Sequence, residues 1–289
     1  MNVLVTGGAG FAGKYLTEYL AKQGHVVTAV IRNQKPKEDI KRVTFVKQEL
    51  SERIEIEGEF DAIVHTACSK SGRELSIEEY IRDNVESARQ LVSFARRKQI
   101  KTIIYFSTRS IYGEIRKPIV QEQNDIINAD KYGVTKRIAE QIFTEAEDIN
   151  TIGLRTPGII GPEAHDIWLT DIVQKIRLGC DVAISDFKTK NLVWIGDIAD
   201  FVERLLEKSY HGEAFCYPYV NLACKEGLNN LEIIKIIQNK LKRNVKVTIH
   251  EPSSGLFLLD ASKAFEMGYH PNAPETIVEL YLDSILKMS

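Results

Sequence analysis

Short apolar runs and one-sided helical faces alternate along the first half of the chain. Residues 2–6 (NVLVT) are apolar and partly β-branched, which predicts a buried strand. Gly7, Gly10 and Gly13 follow at a three-residue spacing, and Tyr15, Leu16, Tyr19 and Leu20 then fall on one face of a predicted helix. Residues 25–31 (HVVTAVI), 43–47 (VTFVK), 61–67 (DAIVHTA) and 101–106 (KTIIYF) predict four further strands. A long helix is expected over 76–98, containing Asn84, and another begins near 130. Strands alternating with helices at this spacing predict an α/β fold with a Rossmann-type, doubly wound parallel sheet.

Composition fits that class and removes others. The chain has 289 residues, 44% hydrophobic and 27% charged, enough for a large α/β domain with a smaller appendage. Its formal net charge of −2 gives no nucleic-acid footprint. The basic run at 96–98 ends a helical pattern and reads as a solvated helix end. No run approaches the ~20 apolar residues of a membrane span. The chain opens on a core strand with no basic, apolar leader, so a cytoplasmic protein is expected. Cys68, Cys180, Cys216 and Cys224 show no metal-ligand spacing, so no metal is expected.

Strand, glycine turn and helix in that order are the context in which a glycine fingerprint marks a dinucleotide site. One glycine allows the tight turn, a second lets backbone approach a pyrophosphate, and a third lets helix and strand pack closely. The plainer alternative is a βα turn that happens to be glycine-rich. At the end of the second strand stand Ile31, Arg32 and Asn33, where an acidic residue would bind the adenosine ribose. Arg32 can pair with a 2′-phosphate, which favours NADP over NAD, or it can stack on adenine. The third strand is followed by Glu49 and Leu50. His65 lies inside a strand, a structural position rather than a catalytic one. Tyr132 and Lys136 stand four apart on a predicted helix and share a face. An ammonium beside a phenol stabilises the phenolate, which predicts a phenol pKa lowered from ~10. Thr108, at the carboxyl end of a parallel strand, is placed where such sheets bind ligands, and its hydroxyl suits a substrate oxygen. Alone, the Tyr-x-x-x-Lys spacing is common in amphipathic helices.

At these residues the sequence resembles the extended short-chain dehydrogenase/reductase superfamily, in its NAD(P)-dependent sugar-nucleotide epimerase/dehydratase branch. TGGAGFAG at 6–13 is similar to the cofactor fingerprint, which implies contacts from Gly7, Gly10, Phe11, Ala12 and Gly13. HTA at 65–67 resembles the wall beside the cofactor, implying Thr66 and Ala67. Asn84 matches the helix asparagine. STRSIYG at 107–113 and YGVTK at 132–136 are similar to the motifs carrying the catalytic Ser/Thr, Tyr and Lys, which assigns those roles to Thr108, Tyr132 and Lys136. LRTPGIIGP at 154–162 resembles the sixth strand and its loop, implying Pro157 beside the cofactor and Gly158 beside the substrate. VWIGDIA at 193–199 and the stretch 259–271 resemble later family signatures.

The resemblance implies a Rossmann domain over 1–161 plus about 193–210, and a smaller α/β substrate domain over 162–192 and 211–289. It also implies a shared redox step. Tyr132 takes a proton from a sugar hydroxyl as hydride leaves for the nicotinamide, Thr108 steadies the oxygen, and Lys136 holds the nicotinamide ribose. A ketoreductase runs this in reverse, and an epimerase does both. Arg109 and Ser110, bordering the substrate, replace the Asp-Glu pair of the family's dehydratases, so 4,6-dehydration is not expected. Lys190 stands where many relatives have a phosphate-binding arginine, and is either a diphosphate partner or a surface lysine. In the smaller domain, helices are expected over 166–176 and 229–241 and a strand over 245–249, with Trp168 packed under its helix. The implied substrate is a nucleotide sugar. The alternatives are an NADPH-dependent ketoreductase of a non-nucleotide substrate and a silent NADP-binding sensor. Relatives dimerise through the helices matching 76–98 and 131–146, so a homodimer is expected.

Overall fold

A computed structural model describes residues 1–33, 39–70, 74–164, 167–185, 188–189, 191–250 and 257–287. The chain divides into two compact units: 1–114, 125–155 and 199–220 form the first, and 115–124, 156–198 and 221–289 the second. The first unit contains β1 (Asn2–Thr6), α1 (Phe11–Lys22), β2 (Val26–Ile31), β3 (Val43–Lys47) and β4 (Ala62–His65). A continuous helical run follows, made of α2 (Ile77–Tyr80), a π-helical turn at Ile81–Glu86 and α3 (Ser87–Lys98). Then come β5 (Thr102–Thr108), a 3-10 turn at Arg109–Tyr112 and α4 (Lys131–Thr144). The helix expected over 76–98 is therefore present, interrupted by one wider turn. The fifth strand runs two residues further than the apolar pattern, through Ser107 and Thr108.

The sheet is completed further along the chain. After β6 (Ile119–Val120) come β7 (Asn150–Thr156), β8 (Ile159–Ile160), α5 (Trp168–Leu178), β9 (Val182–Ser185), β10 (Lys188–Thr189), β11 (Val193–Trp194), α6 (Ile195–Tyr210) and β12 (Tyr219–Asn221). The seven strands stand in the order β12-β7-β5-β4-β1-β2-β3. Around the centre the pairing is parallel, with Thr6 opposite both Val30 and His65, and His65 opposite Tyr105. The order reverses between β1 and β4, and open parallel sheets bind ligands at the carboxyl ends beside such a reversal. Apolar residues are continuous along β1, β4 and β5 because both faces are covered. On one face Leu4, Ile63, Ile103 and Tyr105 pack with Leu91, Phe94 and Phe143. Tyr19 donates to Asp200 at 2.6 Å and His25 meets Glu203 at 2.8 Å, which ties α1 and its end to α6.

The second unit has its own core, formed by Leu169, Ile172, Ile176, Ile233, Ile237 and Leu282 among others. Its remaining elements are β13 (Leu228–Asn229), α7 (Asn230–Leu241), β14 (Val247–His250), β15 (Leu258–Leu259), α8 (Ser262–Glu266) and α9 (Pro274–Lys287). Glu232 accepts the Asn229 N–H at 2.9 Å at the start of α7. Asp197 is buried and accepts from the backbone and side chain of Asn272. Trp168 departs from expectation. As the first residue of α5 it stays 41% exposed, because the inward face of that helix is taken by Leu169, Ile172, Val173 and Ile176. The start expected at 166 lies outside the described residues.

One buried ion pair runs through the first unit. Arg155 of β7 and Glu140 of α4 are 2% and 0% exposed in their side chains and meet at 2.7 Å, with a second bond from Arg155 Nε at 2.9 Å. Burial alone would lower the arginine pKa, but the bonds and field of Glu140 outweigh it and push the pKa up. Arg155 also donates to the Tyr112 hydroxyl at 3.0 Å and lies over the Tyr219 ring at 3.7 Å. Replacing Arg155 with Leu leaves the buried Glu140 charge only the longer contact to Arg137, at 3.4 Å. The expected loss is about 3–5 kcal/mol of unfolding free energy, read by urea denaturation. A double variant with both side chains made apolar should recover most of it.

Candidate functional site

The glycine turn is built by exclusion of side chains. Gly7 has φ +74, in the left-handed region that glycine enters without strain. A Cβ on Gly13 would lie 2.1 Å from the Gly7 carbonyl oxygen, and one on Gly7 would lie 2.8 Å from Thr66 Oγ1. Helix and strand meet here at backbone distance. Gly8 N donates to Val30 O at 2.9 Å and Gly10 N to Gly7 O at 2.8 Å, which fixes the turn against β2. Gly10 caps α1 without a side-chain hydrogen bond, so nothing of its own covers the first helical N–H groups. Such a turn suits the pyrophosphate of a dinucleotide: close backbone, an uncapped helix start and no Cβ in the way. Phe11 and Ala12, both half-buried, form the first turn of α1.

The segment after β4 runs from this turn to the phenol. Thr66 Oγ1 donates to Thr6 O at 2.7 Å, and Ala67 N to Thr6 Oγ1 at 3.3 Å. Cys68 then hydrogen-bonds the Tyr132 side chain, and Ser69 N donates to Asn84 Oδ1 at 3.0 Å. Asn84 Nδ2 donates to Thr135 Oγ1 at 3.1 Å, which ties the π turn to α4. His65 is fully buried against Phe143 and bonded to Thr6 at 2.7 Å. Burial, then the field of Lys136, pushes its pKa down to about 3, so the imidazole is neutral. It holds the sheet rather than carrying protons.

Thr108, Tyr132 and Lys136 come together at the carboxyl end of β5. Asp130 caps α4 by accepting from Gly133 N at 2.7 Å. A Cβ on Gly133 would lie 2.3 Å from Ser110 O, so α4 can start against the 3-10 turn only with glycine there. That approach lets the Thr108 hydroxyl hydrogen-bond the Tyr132 phenol. Lys136, 4% exposed, donates from Nζ to Phe106 O at 2.6 Å, and Ser107 Oγ donates to Glu140 at 2.6 Å. Two turns of α4, from Tyr132 to Glu140, are thus fastened to three successive residues of β5.

The phenol does not follow the expected direction. Its pKa is raised well above 10, chiefly by burial and then by the neighbouring Cys68 and Asp130 side chains, against the opposing hydrogen bond from Thr108. Lys136 gives one of its three ammonium N–H groups to a backbone carbonyl, and burial of the phenol keeps Tyr132 protonated in the polypeptide by itself.

The other expected residues divide by unit. Arg32 and Asn33 are exposed just past β2, and Arg32 Nε meets Glu49 at 3.2 Å. Leu50 is buried. Arg109 is exposed and Ser110 half-buried, with Ser110 N donating to Thr108 Oγ1 at 3.1 Å. Pro157 and Gly158 belong to the second unit, the first buried and the second exposed. Lys190 lies outside the described residues. Reasoning from sequence missed Cys68, Ser107, Glu140 and Asp83. Only Glu140 carried a signal, one turn past Lys136 on the inward face of its helix. Among the described residues no group of three or more His, Cys, Asp or Glu side chains is placed to hold a metal, and no helix is long and apolar enough to cross a membrane.

The profile of the NAD dependent epimerase/dehydratase family matches residues 3–216. A UDP-glucose 4-epimerase of Halalkalibacterium halodurans is 26% identical over 96% of this chain and 94% of its own. A 2-alkyl-3-oxoalkanoate reductase of Stenotrophomonas maltophilia is 30% identical over 56% of this chain and 52% of its own. Among solved structures, the UDP-glucuronic acid 4-epimerase of Bacillus cereus in complex with NAD superposes with a TM-score of 0.82 at 21% identity, covering 100% of this chain and 97% of that one. Gly133→Ala is expected to cost about 1–3 kcal/mol of stability, because backbone must move to admit one methyl group. Urea denaturation of the variant checks this.

Proposed function

The chain belongs to the NAD-dependent epimerase/dehydratase family, and on that premise we propose that it oxidises and reduces a carbinol or ketone carbon of a nucleotide sugar, as an epimerase or a ketoreductase. The observation that carries this is the convergence of Thr108, Tyr132 and Lys136 at the end of β5, joined through residues 66–68 to the glycine turn. Gly7, Gly10, Phe11, Ala12 and Gly13 hold the pyrophosphate, and Thr66, Ala67 and Leu50 flank the nucleoside. A nicotinamide dinucleotide, when bound, supplies hydride acceptance and return. Tyr132 exchanges the proton of the sugar oxygen, Thr108 holds that oxygen, and Lys136 holds a ribose hydroxyl. A phenol that burial keeps protonated is suited to donate to a carbonyl in the reducing direction.

Arg32 supports NADP over NAD, since a guanidinium matches a phosphate and the end of β2 has no acid of its own. Arg109 and Ser110 after Thr108 support redox chemistry without loss of water, because neither is a general acid near neutral pH. Pro157–Gly158 and the 30% identity to a reductase favour, as a second reading, NADPH-dependent reduction of a non-nucleotide ketone. The smaller unit, with Gly158 and Lys190, is proposed to take the substrate. Val134 and Ile138, each 42% exposed on α4, support a homodimer through α3 and α4.

Tyr132→Phe should lower turnover by at least about 100-fold while leaving dinucleotide binding within about twofold. Steady-state rates with UDP-sugars and with keto substrates plus NADPH, beside fluorescence titration of the dinucleotide, check both halves. Unchanged turnover would remove the assignment.

A further inference from the structure

Arg32 is held by two acids of different standing. Val30, two residues earlier, accepts the Gly8 N–H, so Arg32 leaves β2 directly beside the glycine turn. Its Nε faces Glu49 Oε2 at 3.2 Å and its Nη1 faces Asp83 Oδ2 at 3.4 Å. Asp83 is buried and accepts from Ser69 Oγ at 2.5 Å and Arg82 Nε at 2.8 Å, so a second guanidinium already offsets its charge. Burial would raise its pKa, yet the bonds from Arg82 and Ser69 and the field of Arg32 hold it below the usual carboxylate range. Glu49 differs. It is one-third exposed, and its bonds to the backbone and side chain of Ser51 bring it no positive charge. Among the described residues its one salt bridge is to Arg32, and Arg82 adds only a field at longer range.

A carboxylate in that place has two opposite effects on an adenosine ribose. It accepts hydrogen bonds from free hydroxyls, and it repels a 2′-phosphate while occupying the guanidinium the phosphate would use. We infer that Glu49 is the residue that sets discrimination at the ribose 2′ position, by competing with a 2′-phosphate for Arg32. The inference rests on the reading of Arg32 as a 2′-phosphate partner. It predicts a protein that binds both dinucleotides, with its preference for the phosphorylated one held in check by a single half-buried side chain.

The test uses two probes that carry the adenosine end alone, 2′,5′-ADP and 5′-AMP, titrated calorimetrically into the full chain. Glu49→Gln keeps an acceptor for Ser51 and removes only the charge. It is expected to tighten 2′,5′-ADP about tenfold and leave 5′-AMP unchanged or weaker, since about one like-charge contact is removed. Glu49→Lys should move the ratio further the same way, and thermal melting confirms that each variant folds. If Arg32→Ala weakens 2′,5′-ADP but neither Glu49 variant raises the ratio, the role of Glu49 is overturned and the reading of Arg32 stands. If Arg32→Ala leaves 2′,5′-ADP binding unchanged, both fall.

Discussion

A carboxylate with no access to water sits at the centre of the first unit, and the positions of the reactive groups follow from how it is satisfied. Glu140 takes two bonds from Arg155 of β7, one from Ser107 of β5 and a longer one from Arg137 of its own helix. The two strands and α4 therefore share one set of hydrogen bonds. Desolvating such a pair costs several kcal/mol per ion, and good geometry with extra hydrogen bonds is what offsets it. The return is rigidity in place. Because Ser107 and Lys136 reach across the same gap in opposite directions, the end of β5 cannot slide along the first turns of α4. Thr108 and Tyr132 lie at the two ends of that fastening.

At the other edge the constraint is volume instead of charge. Where the Gly7 carbonyl faces Gly13, no side chain fits between strand and helix. Thr66 fills the remaining space with its hydroxyl bonded to backbone, so the floor beneath a dinucleotide is made of main chain. Main chain offers N–H groups at fixed angles and has little freedom to rearrange, which suits an anion that must be held in one register. The segment 66–69 then carries that register over to the phenol.

The parts legible in the sequence are those set by local rules. The glycines were readable because sterics leave no other residue, and Tyr132 with Lys136 because a helix puts positions four apart on one face. The strands and helices were readable from periodicity, and Trp168 was misplaced because an aromatic at a helix start satisfies the pattern equally well on either side. The direction of the Tyr132 pKa was missed for a different reason. The proximity of Lys136 could be read, but how its ammonium is spent and how deeply the phenol is buried depend on Phe106, Cys68 and Asp130 arriving from elsewhere in the fold. Glu140 with Arg155, fifteen residues apart, and Asp83 with Arg32, fifty-one apart, are likewise partners only because of the tertiary structure.

The π turn at Ile81–Glu86 makes the two halves of its helix answer to different neighbours. A regular α-helix turns about 100° per residue, so three consecutive side chains fan over about 200°, and a wider π turn narrows that spread. Here Asp83, Asn84 and Val85 are all buried, and the first two reach Arg32 and Thr135. The extra residue in this coil acts as a phase shifter. Ahead of it, Tyr80 is aimed at Tyr132; behind it, Leu91 and Phe94 are aimed at the sheet. Excising a single residue there would restore an even pitch and rotate one half by about a quarter turn against the other, so Arg32 and the Tyr132 phenol could no longer be served by the same rod.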